Sequence, residues 1–193
     1  MPFVRESIVT TLNADGTAHI APLGLIEQPP CLVIAPFHPS RTLDNLRREP
    51  VACVSYTTDV RVFAGCVTRR RTDWPVVEAE RLPGWRLADC QAHAELEVID
   101  TVDDPLRPRF VCSVIHEVTH KPFRGFNRAQ AAVVEAAILA SRLHMLSREK
   151  VETEMAYLRI AIDKTAGDAE REAWAWLAEM IGGSTSGRQT GQP

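Results

Sequence analysis

An α+β protein is predicted, on three observations. Short runs of β-branched residues, each bounded by Pro, Gly, Asp or Asn, recur from residue 5 to residue 120. From Asn127 onward the pattern changes to long helical segments. Helix punctuation falls where that change requires it, with Asn127 ahead of the first segment and Gly167 and Gly182-Gly183 behind later ones. At 193 residues and 45% hydrophobic, the chain suffices for one sizeable core, or for a domain with a substantial appendage.

The expected strands are 6–12, 17–26, 31–36, 51–57, 90–100 and 109–119. The first two form a hairpin from Ser7 to Leu25, turning at Asn13-Ala14-Asp15-Gly16, where Gly16 takes the positive φ that a short loop with a bulge needs. Ala21-Pro22-Leu23-Gly24 follows in the second strand. Pro22 cannot donate to a ladder and Gly24 has no side chain. The strand is therefore expected to leave its neighbour after His19 and offer bare backbone to a flat ligand. Ser40 N-caps a short helix with Leu43 and Leu46 on its apolar side and Pro50 as its stop. A helical turn is expected near 59–66. Residues 68–89, carrying Arg69-Arg70-Arg71, Pro83, Gly84 and two Trp, read as a long loop, a kind that is often functional or mobile.

Three helices are expected after that. The first is Asn127–Leu146, with Asn127 and Gln130 as a capping box; then come Ser147–Thr165 and Asp168–Ile181. In the first helix Arg128, Glu135 and Arg142 form one polar stripe on an otherwise apolar surface. A helix of that kind must be covered on most sides, so it is expected to pack on the β-rich part or across a dimer axis. The domains are expected at 1–122 and 123–181, with a disordered tail at 182–193, where little can be buried.

A net charge of −3 and a pI near 6.1 give no reason to expect a nucleic acid or an anionic membrane as partner. The start of the chain lacks an apolar signal core, and the stretch Ala129–Leu146 is interrupted by charges. A cytoplasmic protein without a membrane span is therefore expected. Five scattered cysteines form no Cys-x-x-Cys pair and read as reduced thiols in core positions.

Two segments carry chemistry. His116-Glu117-Val118-Thr119-His120 matches the zinc pattern His-Glu-x-x-His, with Glu135 as the best placed third ligand in sequence, but that pattern needs a helix to bring both imidazoles to one ion. The flanking residues are β-branched, and in a strand the two histidines lie roughly 13 Å apart. No metal is therefore expected. The second segment is His38-Pro39-Ser40-Arg41-Thr42-Leu43-Asp44-Asn45, which places hydroxyls and a guanidinium on a helix's first turn. Such a turn either merely caps itself or binds a phosphate.

The hairpin ending in Ala-Pro-Leu-Gly, the apolar strand after it and the Ser-x-Thr-x-x-Asn helix resemble the FMN-binding split β-barrel of the flavin-reductase-like superfamily. Gly125-Phe126-Asn127-Arg128-Ala129, Glu135-Ala136-Ala137-Ile138 and Arg142-Leu143 resemble its domain-of-unknown-function branch, in which the barrel carries a C-terminal helical domain. The resemblance implies a homodimer that binds FMN at the subunit interface. It implies that Ala21, Pro22, Leu23 and Gly24 line the isoalloxazine and that Ser40, Arg41, Thr42 and Asn45 hold the phosphate. Thr57 and Thr58 would contact the ribityl chain or ring edge, and Asn127 and Arg128 would add polar contacts. The function so implied is that of a flavin-dependent oxidoreductase using a small-molecule electron donor and substrate. Alternatives are an FMN-binding protein without turnover and a zinc hydrolase through His116, Glu117 and His120. No Gly-x-Gly-x-x-Gly motif is present, so a nicotinamide would bind against the flavin itself. No fixed acid or base stands out; His19, beside the Ala-Pro segment, is the one catalytic candidate.

Overall fold

Phe3–Leu12 (β1) and Ala18–Gln28 (β2) form the expected hairpin in the computed structural model, which describes residues 2–186 with side chains to 183. Gly16 has φ +80°, and Asp15 Oδ1 accepts from the N–H and hydroxyl of Thr17. Cys31–Ile34 (β3), Val51–Tyr56 (β4), Ala92–Val102 (β7) and Arg109–Thr119 (β8) complete a closed antiparallel barrel in the order β1-β2-β3-β8-β7-β4. Its interior holds Val9, Leu25, Val54, Leu96 and Phe110. Arg41–Arg48 (α1) adds Leu43 and Leu46 to the same buried cluster. The α+β class is as expected, and so are the six strands within a few residues at their ends.

The stretch expected as one loop at 68–89 contains a hairpin, Val76–Glu78 (β5) with Trp85–Leu87 (β6). It lies as a strap outside β1 and β4, where Leu87 N–H donates to Ser55 Oγ (3.2 Å) and Trp85 Nε1 donates to the Gly16 carbonyl (2.9 Å). Short strands with mixed polarity give weak sequence signals.

Contacts divide the chain into two units. One is the barrel with its strap, residues 1–58 and 73–123. The other joins 59–72 to the residues from Arg124 onward, so the helix Arg61–Thr68 (α2) is grouped with Arg128–Ser141 (α3), Arg148–Thr165 (α4) and Asp168–Ser186 (α5). This changes the account of α3. Its apolar surface is covered within the unit by α2, α4 and α5; Ala132, Val133 and Ala136 of α3, Phe63 of α2 and Trp174 and Leu177 of α5 are all buried. The expectation that three helices cannot cover it overlooked the fourth.

Three further corrections apply to the helices. α3 ends at Ser141, and 142–146 turn toward Ser147, which caps α4. Asn127 Oδ1 caps α3 by accepting from Ala129 and Gln130, but Gln130 Nε2 donates to Glu170 instead of completing a capping box. α5 continues through Gly182-Gly183 to Ser186, so those glycines do not end it; the rest of the expected tail lies outside the described residues.

Candidate functional site

β2 is continuous, contrary to the expectation that it leaves its neighbour after His19. It pairs with β1 along its whole length, Pro22 facing Ile8 and Gly24 facing Glu6. The open side is its other edge. β3 pairs with it only at Ile26, Glu27 and Gln28, so among the described residues the β2–β3 ladder does not reach Ala21–Gly24. Pro22 is tolerated in such a strand because edges need no second donor. Ala21, Pro22, Leu23 and Gly24 are all half-buried along this edge. A Cβ on Gly24 would sit 2.8 Å from Val4 Cγ1, so a larger residue there would have to displace the Val4 side chain.

The α1 start stands at the same end of the barrel as the β1–β2 turn. Ser40 Oγ accepts from Leu43 N–H (3.3 Å), as an N-cap does, and Arg41 is exposed. First-turn amides have no carbonyl inside the helix and carry the positive end of its dipole, which suits an anion. The structure brings His19 into this neighbourhood. Burial, and after it the Arg41 guanidinium, holds the half-buried His19 below the ordinary histidine pKa. Thr42 and Asn45 point inward instead. Asn45 Nδ2 donates to Thr11 Oγ1 (3.0 Å) and Asn13 Oδ1 (3.3 Å), and its Oδ1 accepts from Arg48, so this amide ties the helix to the hairpin.

Past β4, Gln91 holds Thr58 from two sides, accepting from its N–H (2.9 Å) and donating to its hydroxyl (2.8 Å). Thr57 and Thr58 are half-buried beside it. Asn127 and Arg128 lie in the helical unit, where the Asn127 side chain is committed to capping α3 and to the Thr165 carbonyl (3.1 Å).

His116-Glu117-Val118-Thr119 lies in β8, so the zinc pattern lacks its helix. Among the described residues no group of three or more His, Cys, Asp or Glu is arranged to hold a metal. What the segment meets instead is a polar layer on the outer face of the barrel. His93 and Glu95, two apart on β7, face outward opposite Ser55 and Cys53 of β4, under the strap. Both are 0% exposed. This pair was missed in the sequence. The signal was present, because His-x-Glu in a strand shares a face, as His116 and His120 do.

Two segments of the sequence match one family: residues 5–121 its N-terminal domain and 127–179 its remaining part, described as protein of unknown function DUF447. The chain belongs to the DUF447 family. Among solved structures, an FMN-bound DUF447 protein from Methanosarcina mazei superposes with a TM-score of 0.79 at 19% identity, over 93% of this chain and 96% of that one. A 2-nitrobenzoate 2-nitroreductase from Pseudomonas fluorescens (TM-score 0.52, 20% identity) covers 62% of this chain and 66% of its own. Flavoredoxin from Methanosarcina acetivorans (0.52, 21%) covers 64% and 74%. At these identities the likeness is one of fold, over nearly the whole chain for the first and over less than two thirds of it for the other two. No curated protein matches this DUF447 sequence. Among its described residues no helix is long and apolar enough to cross a membrane.

Proposed function

We propose that this DUF447 protein binds FMN and acts as an oxidoreductase toward a small organic substrate. The observation that carries the reading is the pairing of a backbone edge at Ala21–Gly24, which the β2–β3 ladder does not reach, with a cationic helix start at Ser40 and Arg41. The first would hold a flat ring and the second a phosphate dianion. The FMN-bound relative supports the choice of ligand. The residues fit the group with two changes of role: Ser40, Arg41 and the first α1 amides would hold the phosphate, while Thr42 and Asn45 turn inward and Asn45 secures the helix from within. Thr57 and Thr58 address the ring edge or ribityl chain. Bound FMN supplies hydride and electron transfer, and the chain orients it and its reactant.

FMN is expected to quench in titration with clearly higher affinity than riboflavin. Arg41→Ala should weaken FMN about tenfold, the scale of a hydrogen bond to a charged group, roughly 1–2 kcal/mol, and leave riboflavin unchanged. Equal affinity for the two flavins would remove the phosphate site from the proposal. Electrons passed from NADH or another reduced donor through the bound FMN to a dye acceptor are the expected result; FMN binding with no transfer from any donor favours a carrier.

The reading includes a homodimer in the cytoplasm. The open edge of β2 and the exposed Phe3, Val4, Ile99 and Ile115 of the barrel give a second copy both backbone and apolar surface to cover. Light scattering should give twice the chain mass; a monomer with full FMN occupancy would contradict it.

A further inference from the structure

The polar layer under the strap orders its hydrogens by simple bookkeeping. Glu95 carboxylate oxygens accept backbone N–H groups from Glu80 (2.6 Å), Arg81 (2.9 Å) and Leu82 (2.7 Å). A carboxylate receiving three amides is ionised and has no hydrogen to give. His93 Nε2, 3.4 Å from Glu95 Oε1, must therefore donate to it. A neutral His93 then has only a lone pair at Nδ1, and Nδ1 stands 2.9 Å from His120 Nε2. His120 Nε2 must carry the hydrogen. That leaves Nδ1 of His120 bare, on a residue exposed to solvent.

We propose that Glu95 and His93 are positioning residues that hold His120 as a proton acceptor, its Nδ1 free to take a proton from a weak organic acid. The His120 backbone N–H donates to the Gln91 carbonyl (2.7 Å), and the Gln91 side chain grips Thr58, so Gln91 links the strand end that carries the acceptor to the threonine. That the acid is a substrate held beside flavin rests on the flavin reading above; the acceptor itself does not. In the step, the bond from the acid's C, N or O to hydrogen breaks, its electron pair stays on that atom, and an N–H bond forms at Nδ1. The added charge is shared along the Nε2–H···Nδ1 contact toward Glu95.

The groups facing His120 and His93 from each neighbouring element are few. From the strap come Arg86, which opposes the charge, and Glu80, which favours it. From β8 comes His116, whose Nε2 is 3.1 Å from Glu80 Oε2 and whose ring is centred 6.0 Å from that of His93. From β4 comes Cys53, its thiol pushed up to about 12 by burial and by Glu95. Lys121 is paired with Asp89. Burial first, and the Arg86 guanidinium after it, hold His120 below the ordinary histidine pKa, so it is neutral and able to accept near pH 7.

Two measurements on the full chain test this. Long-range ¹H–¹⁵N correlation at pH 7.5 should show His120 as a single tautomer with hydrogen on Nε2; hydrogen on Nδ1, or averaging of the two, overturns the relay. Ring opening of 5-nitrobenzisoxazole, a carbon acid used as a probe of general bases, should be accelerated by the protein. It should fall roughly 100-fold in His120→Gln, as for loss of a positioned base, and persist in His144→Gln. Its rate should decline as pH falls through a value below the ordinary histidine range. An unchanged rate in His120→Gln overturns the acceptor role. His93→Gln should return His120 to mixed tautomers; if that variant does not fold, the wild-type spectrum still decides. Failure to bind FMN would remove the flavin reading and leave both results standing.

Discussion

Ala136→Glu is expected to unfold the helical unit. Ala136 is 0% exposed on α3, in a row of buried small residues with Ala129, Ala132, Ala137 and Ala140. Small residues in such a row let neighbouring helices approach closely, and Ala173, Trp174 and Leu177 of α5 and Val62 and Phe63 of α2 fill the same core. A glutamate there must either force those helices apart or bury a carboxyl with no partner. The cost is about 3–5 kcal/mol, a large part of the roughly 5–15 kcal/mol that holds a domain folded. Ile138→Glu, at a half-buried position on the same helix, should cost distinctly less. Urea unfolding followed by far-ultraviolet circular dichroism, which is dominated by helix, reports on this unit. A loss below about 1 kcal/mol for Ala136→Glu would mean that this core is not closed within the chain.

That expectation differs from the one the sequence alone supports, and the difference has a physical source. The apolar surface of α3 is readable from residue spacing, because a helix repeats every 3.6 residues. What covers it is not, because α2 arrives from 60 residues earlier and no local pattern says where an excursion from a barrel will pack. The same division runs through the site. The β1–β2 turn, the Ser40 cap and the exposed Arg41 follow from local chemistry and were legible. Asn45 shares their helix, yet its amide turns inward to Thr11 and Asn13, a choice made by the hairpin packed under it. The open edge at Ala21–Gly24 was expected on the right residues for the wrong reason: the strand does not leave β1, and it is β3 that stops short.

The His-Glu-x-x-His segment shows how far residue type can mislead without register. Its strand character was legible from the β-branched residues around it, and that removes the helix a zinc pair requires. Its real neighbour was not legible, since His93 meets His120 only through the pairing of β7 with β8 and a strap that lays Glu80, Arg81 and Leu82 over Glu95. Contacts of that kind are long-range in sequence and depend on register, where a slip of one residue turns every side chain to the other face.

Glu95→Gln should therefore be among the most destabilising near-isosteric changes in the barrel unit. The glutamine keeps the shape but replaces one acceptor oxygen with an NH₂. Whichever way it turns, a donor then faces a donor, at Glu80 N–H on one side or at Arg81 and Leu82 N–H on the other. A buried donor left without an acceptor, and the loss of charge from these hydrogen bonds, together cost about 2–4 kcal/mol at pH 7. The pH dependence has a definite sign. Burial alone would raise the Glu95 carboxyl, but the three strap amides and His93 outweigh it and hold the carboxyl below its ordinary range. A depressed folded-state value means that the stabilisation is fully present above the unfolded value, about 4.3, and is lost as pH falls through the lower folded one. Native protein should thus lose this contribution in acid while Glu95→Gln has none to lose, so the gap between their urea midpoints should narrow from pH 7 to pH 3. A gap that stays constant over that range would show that the carboxylate's charge does not fasten the strap.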